Sequence, residues 1–157
     1  MYCSQNSSII TRAVSKDERT ALLVSSLLAV WEKSVRASHR FLTEKDIENL
    51  IPAVSEAIEN VEVLNVVYAN DKPVGFMGTD GDRIEMLFVL PDHFGCGLGR
   101  HLTRIAIRDY GSKFVDVNEQ NSDAWAFYSH IGFREFDRTE TDGQGNPFPI
   151  IKMKLVK

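Results

Sequence analysis

A glycine-rich segment of the chain carries residue types that bind anions. It reads Pro91-Asp92-His93-Phe94-Gly95-Cys96-Gly97-Leu98-Gly99-Arg100 and connects a predicted strand to a predicted helix. Glycines at such a junction allow positive φ angles and let the backbone approach a ligand closely. The free N–H groups and the dipole at the start of a helix favour an anion such as a pyrophosphate. The segment therefore predicts an anion-binding loop, with a tight turn that binds no ligand as the alternative.

Two common phosphate-binding motifs do not fit this segment. A Walker A loop requires Gly-Lys followed by Ser or Thr, and the chain has no such sequence. A dinucleotide-binding fingerprint that starts at Gly95 requires a third glycine at position 100, which is Arg100. The anion is therefore not expected to be bound in either of these two ways.

The elements that hold this segment follow from the periodicity of the apolar residues. Apolar runs predict strands at residues 9–14, 63–69, 74–79, 84–90, 114–117, 133–138 and 150–156. Helical spacing predicts helices at residues 17–36, 101–110 and 122–131, and a further helix that starts with a capping box at Thr43 and continues to Ile58. Ser15 or Asp17 is the expected cap of the first helix. The order β-α-α-β-β-β-α-β-α-β-β predicts an α/β layered domain.

The bulk properties predict a single domain that spans residues 1–157. The net charge of -4 argues against nucleic acid as the main partner. The most apolar stretch, residues 21–31, is too short for a membrane span, and no secretory signal precedes it. Cys3 and Cys96 have no metal-ligand spacing, so we expect no metal site, no disulfide and a cytoplasmic location.

The sequence from Glu85 to Gly99 resembles the acetyl-CoA loop of the GNAT superfamily of N-acetyltransferases, whose pattern is Arg/Gln-x-x-Gly-x-Gly/Ala. Gly97 and Gly99 match the two terminal positions of that pattern. Phe94 stands where the family usually has Arg or Gln, so the polar contact that such a side chain makes to the cofactor is not expected from this position. The backbone cradle does not depend on that side chain.

A second stretch resembles the other signature of the family, in which an Asn precedes a helix that carries Ala, then Tyr, then Gly-Phe. The matching residues are Asn121, Ala124, Tyr128, Gly132 and Phe133. The segments Ser34-Val35 and His39-Arg40-Phe41-Leu42 look like those of small bacterial members. The resemblance implies a GNAT-type fold, in which helices flank a central mixed, mostly antiparallel sheet. It also implies direct transfer of acetyl from acetyl-CoA to a primary amine of a small molecule or a protein.

The resemblance further implies roles for single residues. Tyr128 is the expected general acid for the leaving thiolate, with a core aromatic as the alternative. Glu85 and His39 are candidate bases for the amine, which is protonated at neutral pH; a salt-bridged strand residue and a surface histidine are the alternatives. Cofactor contacts are expected from Phe88, Val89, Leu90, Phe94, Gly95, Cys96, Gly97, Leu98, Gly99, Arg100, Asn121 and Tyr128. Acceptor contacts are expected from Trp31, Ser34, His39 and Phe41, with Phe148 as a further candidate.

Two other function classes compete with an acetyltransferase. One is a non-catalytic acyl-CoA-binding or regulatory module on the same fold, which would not need an acid such as Tyr128. The other is a phosphate-binding enzyme such as a nucleotidyl transferase, and the absence of a lysine from the glycine loop argues against it. The identity of the acceptor and the formation of a homodimer stay open, because one fold serves many acceptors.

Overall fold

The computed structural model describes residues 8–156. Its strands are β1 (Ile9–Ala13), β2 (Val63–Ala69), β3 (Lys72–Asp80), β4 (Arg83–Val89), β5 (Phe114–Asn118), β6 (Phe133–Thr139) and β7 (Ile150–Leu155). Its α-helices are α1 (Ala21–Ser38), α2 (Glu44–Asn60), α3 (Leu98–Tyr110) and α4 (Ser122–Ile131). Short 3-10 turns lie at Lys16–Glu18 and Pro91–His93. The predicted order of strands and α-helices is confirmed.

The seven strands form one sheet in the order β1-β2-β3-β4-β5-β7-β6. All neighbouring pairs are antiparallel except β4 and β5, which run parallel. These two strands pair only at Arg83 with Phe114 and at Ile84 with Val115. Beyond those pairs they separate, and we call the gap between the rest of β4 and β5 the fork. The sheet is mixed and mostly antiparallel, as the sequence predicted.

Helices cover both faces of the sheet, and each face has its own core. Phe76 packs with Leu27 of α1 and Ile58 of α2, all fully buried. Its neighbour on β3, Met77, packs on the opposite face with the side chains of α3 and α4, including Leu102. Adjacent strand residues point to opposite faces, so a continuous apolar run in β3 supplies both cores.

Helix starts differ in two places from the sequence prediction. The first helix was predicted at residues 17–36, but α1 begins at Ala21, where the Thr20 hydroxyl accepts the N–H of Leu23 at 3.2 Å. Ser15 instead forms a capping box on the short 3-10 turn that precedes α1. Helix α3 starts at Leu98, three residues earlier than predicted, because the turn that ends the glycine loop is already complete at Gly97.

Arg19 ties the chain before α1 to the C-terminal end of α2. Its Nη1 donates hydrogen bonds to the carbonyl oxygens of Ile58, Glu59 and Val61 at 3.3, 3.1 and 2.6 Å. Its Nη2 donates to the carbonyl of Glu62 at 3.4 Å. A cation at this position satisfies carbonyls that a helix end leaves unpaired, and it opposes the negative end of the dipole. The position of α2 is therefore fixed by a contact that the sequence did not predict.

Candidate active site

The glycine loop leaves a set of backbone donors without intrahelical partners. Gly95 and Gly97 adopt positive φ angles of 77° and 83°, which confirms the expectation for this segment. Gly97 is the N-cap of α3 and supplies no side-chain cap. The first N–H groups of a helix have no intrahelical partner, so those of Leu98, Gly99 and Arg100 are available to bind an anion.

A cavity of about 520 Å³ opens in front of these donors, and we call it the loop cavity. The end of α1, β4, the glycine loop and the start of α4 form its walls. Nine residues predicted to bind the cofactor line it, namely Phe88, Val89, Phe94, Gly95, Gly97, Leu98, Gly99, Arg100 and Asn121. Leu87, His93, Asp123 and Phe127 also line it and were not predicted. Phe127 lies three residues after the signature Ala124, so helical spacing was the signal that could have identified it.

Two residues of the predicted cofactor set lie outside both the loop cavity and the fork. Leu90 packs against both cores, and its N–H donates to the Val74 carbonyl at 2.8 Å. Cys96 packs against the core beneath the loop and is disulfide-bonded, contrary to the expectation of no disulfide. The other cysteine of the sequence, Cys3, lies outside the described residues. Phe94, at the family's Arg or Gln position, both lines the loop cavity and packs against this core.

A second cavity, of about 230 Å³, occupies the fork. Consecutive residues of each strand line it, and consecutive residues face opposite sides of a sheet, so the fork passes through the sheet. His39 and Asn121 line both cavities and therefore lie where the two cavities meet. The lining residues of the fork are His39, Ile84, Glu85, Met86, Leu87, Phe88, Val115, Asp116, Val117, Asn118, Asn121 and Tyr128.

Tyr128 is buried and borders the fork. Its side chain is 6% exposed, and its ring makes edge-to-face contacts with Phe127 and Phe133 at 5.0 and 5.5 Å. No side chain or backbone group of residues 8–156 makes a hydrogen bond to its hydroxyl. Burial raises the pKa of the phenol, so the hydroxyl keeps its proton at neutral pH. The side chain is thus part of the core and also presents a proton to the fork.

Glu85 lies at the narrow end of the fork with two other charged groups. Its carboxylate is 3.9 Å from the guanidinium of Arg83, which also contacts Asp116 at 2.7 Å. Partial burial raises the pKa of Glu85, while Arg83 opposes that increase and the charge of Asp116 adds to it. The side chain is 41% exposed, so the change is moderated by solvent. A carboxylate whose pKa is raised in this way is a stronger base than one in water.

His39 is half-buried at the end of α1 and has polar partners on both ring nitrogens. Its Nδ1 lies 2.8 Å from the Ser38 hydroxyl, and its Nε2 lies 3.3 Å from the side-chain nitrogen of Asn121. Burial lowers the pKa of the imidazole, so the ring is neutral at pH 7. The expected base is thus placed at the cavities, in the form that accepts a proton.

The residues predicted to contact the acceptor are divided by the structure. Ser34 lines the loop cavity, and Phe41 lines a neighbouring hollow and contacts Phe148 edge-to-face at 5.8 Å. Trp31 is only 3% exposed, packs in the core under α1 and α2, and lines neither the loop cavity nor the fork. The expectation for Trp31 is corrected, because this residue lies on the same buried stripe of α1 as Leu27.

Residues 8–156 contain no group of three or more His, Cys, Asp or Glu side chains that could hold a metal ion. Within the same residues, no helix is long and apolar enough to cross a membrane. The polar groups that line the two cavities include backbone donors, the phenol of Tyr128, the imidazoles of His39 and His93, and carboxylates.

Comparison with known proteins identifies the family of this chain. The acetyltransferase (GNAT) domain family matches residues 32–157. Peptidyl-lysine N-acetyltransferase YjaB of Escherichia coli is 36% identical over 130 residues, which are 83% of this chain and 88% of that protein. YjaB of Salmonella typhimurium is 35% identical over 127 residues, 81% of this chain and 88% of that protein. The solution structure of apo YjaB from E. coli superposes with a TM-score of 0.82 at 34% identity, covering 95% of this chain and 98% of that one. The chain therefore belongs to the GNAT family of acetyltransferases, and acetyl-CoA is its acetyl donor.

Proposed function

We propose that this enzyme acetylates the ε-amino group of lysine side chains in proteins. The observation that carries the proposal is the fork, a passage through the sheet that holds a protonated phenol and carboxylates together. The relatives named peptidyl-lysine N-acetyltransferases support this acceptor class, because they match more than four fifths of the chain.

The loop cavity fits the donor acetyl-CoA. The N–H groups at the start of α3 suit the pyrophosphate, which needs donors but no particular side chain. Strand β4 is paired with β3 along its length but with β5 at only two residues, so one edge of β4 is open at the fork. The amide groups of the pantetheine arm can pair with that edge as an added strand would. This placement directs the thioester toward Tyr128.

Tyr128 is the proposed general acid. Its hydroxyl borders the fork, and burial keeps it protonated over the whole physiological range. The thiolate that leaves when the amine takes the acetyl group needs a proton, and a neighbouring phenol supplies it. The absence of a competing hydrogen bond from residues 8–156 leaves the O–H available for this transfer.

Glu85 and His39 are the proposed bases. A lysine amine has a pKa of about 10.4 in water and is almost fully protonated at pH 7. Glu85 and His39 both line the fork, and a carboxylate and a neutral imidazole are both able to accept a proton. The two carboxylates of Glu85 and Asp116 stand against the single positive charge of Arg83, and the remaining negative charge favours entry of a cationic amine.

The same proposal includes the surroundings in which the enzyme acts. A cytoplasmic location fits the need for acetyl-CoA and protein lysines together. A net charge of -4 and the carboxylates of the fork do not favour nucleic acid or an anionic membrane as a partner. A homodimer would have to use exposed apolar residues such as Ile10 on the edge strand β1 or Phe136 on the edge strand β6.

A donor-and-acceptor panel tests the proposal. The purified enzyme is given acetyl-CoA with lysine peptides, peptides with only a free N-terminal amine, polyamines and aminoglycosides, and release of free thiol is followed. The proposal expects the highest kcat/KM with lysine peptides and acetylation at Nζ by mass spectrometry. Faster turnover of polyamines or aminoglycosides would move the acceptor class to small molecules, and no turnover with any amine would refute the proposal.

A further inference from the structure

The hydrogen bonds around His39 determine which of its two nitrogens carries the proton. The side-chain oxygen of Asn121 accepts the N–H of Ala124 at 3.2 Å and thereby caps α4. The amide nitrogen of Asn121 must therefore face His39, and an amide nitrogen only donates. The Nε2 atom of His39, at 3.3 Å, is consequently an acceptor without a proton.

The other side of the ring leads to the same assignment. A neutral imidazole without a proton on Nε2 carries it on Nδ1, which then donates to the Ser38 hydroxyl at 2.8 Å. Ser38 in turn donates its own proton to the backbone carbonyl of Ser34 at 2.8 Å. Every donor in this series has one acceptor. The opposite tautomer would require Asn121 to turn around and Ser38 to give up its bond to Ser34, at a loss of two hydrogen bonds.

We propose that Ser38 and Asn121 are positioning residues, which hold His39 in the Nδ1–H tautomer so that its Nε2 lone pair faces the junction of the loop cavity and the fork. This inference rests on the proposed function, because it gives that lone pair the proton of the acceptor amine. The ammonium N–H bond breaks as an Nε2–H bond forms, which leaves a neutral amine and an imidazolium ion. The Asn121 contact is long for a hydrogen bond, so the incoming ammonium group can replace it.

The carbonyl of Ser34 accepts but cannot pass on a proton. The series from His39 through Ser38 to Ser34 therefore ends at the backbone and is not a path by which protons leave. Its role is to fix the ring orientation and tautomer, as a carboxylate or carbonyl does for histidines in other active sites. Deletion of the Ser38 hydroxyl removes this control without removing the imidazole.

Other titratable and charged groups share the surroundings of His39 and must stay constant in the test. They are His93, Arg100 and Asp123 of the loop cavity, Glu85, Asp116 and Tyr128 of the fork, and the neighbouring Arg40. Substitution of Ser38 leaves all of them unchanged. A comparison of Ser38→Ala with Ser38→Thr, which keeps a hydroxyl on the same carbon, therefore isolates this hydroxyl and its two hydrogen bonds, to His39 and to Ser34.

Long-range ¹H–¹⁵N spectra of histidine-labelled, unliganded protein read the tautomer directly. The chain has four histidines, and the spectrum of His39→Gln identifies the signal of His39. Wild type and Ser38→Thr should show the Nδ1–H tautomer, and Ser38→Ala should show a mixture. Asn121→Asp, which replaces the donor with an acceptor, should place a proton on Nε2.

Kinetics supply the functional half of the test. At saturating acetyl-CoA, Ser38→Ala should lower kcat for a lysine peptide about tenfold, the effect of the hydrogen bond that His39 loses, with the KM for acetyl-CoA unchanged within about twofold. Ser38→Thr should restore most of that rate. An Nε2–H tautomer in an active wild-type enzyme, or a Ser38→Ala enzyme with wild-type tautomer and rate, would overturn the inference alone. A wild-type enzyme that acetylates no lysine peptide would refute the proposed function and with it the base role.

Discussion

Replacement of Tyr128 with Phe separates the chemical role of this residue from its packing role. The phenyl ring keeps the edge-to-face contacts with Phe127 and Phe133 at 5.0 and 5.5 Å. The lost hydroxyl has no hydrogen-bond partner among residues 8–156, so the substitution leaves no buried donor or acceptor unpaired. The free energy of unfolding should therefore change by less than about 1 kcal/mol. The dissociation constant for CoA should stay within about threefold of wild type, which corresponds to less than 1 kcal/mol of binding free energy.

The rate should change far more than the stability. Loss of a general acid slows the chemical step by roughly 10²- to 10⁴-fold, which is about 2.7–5.4 kcal/mol of transition-state stabilisation. Single-turnover measurements at saturating acetyl-CoA and lysine peptide give this step without product release. Tyr110→Phe is the matched control, because its hydroxyl accepts a hydrogen bond from Asn65 at 3.4 Å and lines neither the loop cavity nor the fork.

An unchanged single-turnover rate in Tyr128→Phe would show that the thiolate leaves without this proton and that Tyr128 is only a core residue. A low rate accompanied by a large loss of stability would also contradict the reasoning, since it would mean that the hydroxyl supports the fold. Because burial raises the phenol pKa, the wild-type rate should not fall between pH 7 and pH 9 through ionisation of Tyr128.

Three further substitutions test other parts of the structure. Where Glu85 rather than His39 takes the amine proton, Glu85→Gln should move the acid limb of the kcat/KM profile to higher pH, because the wild-type carboxylate accepts a proton once pH exceeds its raised pKa, whereas a free amine ionises only near its own pKa of about 10.4; an unchanged profile would exclude Glu85 and leave this role to His39. Arg19→Met should lower the free energy of unfolding in urea by about 1.5–3 kcal/mol through loss of charged hydrogen bonds to the end of α2. Arg12→Met is the control: it breaks only an exposed ion pair at 3.5 Å and should lower the free energy of unfolding by less than about 1 kcal/mol. Equal losses of stability in Arg19→Met and Arg12→Met would contradict the role given to Arg19. Gly97→Ala should lower the free energy of unfolding by about 1–2 kcal/mol through backbone strain alone, because φ is 83° and a Cβ atom there meets nothing within 4 Å. Gly143→Ala is the control, because Gly143 is equally open but has no positive φ, so this substitution should cause no such strain.

The features that the sequence predicted are those with a local physical cause. The strand and helix order follows from apolar periodicity, and the positive φ angles of Gly95 and Gly97 follow from a strand-to-helix turn. Tyr128 was predicted as the acid because its helix carries a local signature of the family, and that role stays a prediction. Trp31 was assigned to the cleft even though it lies four residues after Leu27 on the apolar stripe of α1, which is the pattern of a core residue.

The features that the sequence did not predict join distant parts of the chain. The contact between His39 and Asn121 spans 82 positions, and that between Arg83 and Asp116 spans 33. Neither pair has a spacing that a local rule would recognise, because each depends on how α1, β4 and β5 come together in three dimensions. Ser38 was not singled out even though its contacts to His39 and Ser34 are local, because a serine near a helix end commonly donates to the preceding turn without any further role.

The small number of residue pairs between β4 and β5 divides the sheet into a block of four strands and a block of three. In the unliganded protein, the peptide N–H groups of β4 that point away from β3 beyond Ile84 have no strand beside them. They should exchange their hydrogens for deuterium faster than the N–H groups that point to β3. A donor arm that lies along this edge covers them, so deuterium uptake by β4 reports occupancy of the fork even when no acetyl group is transferred.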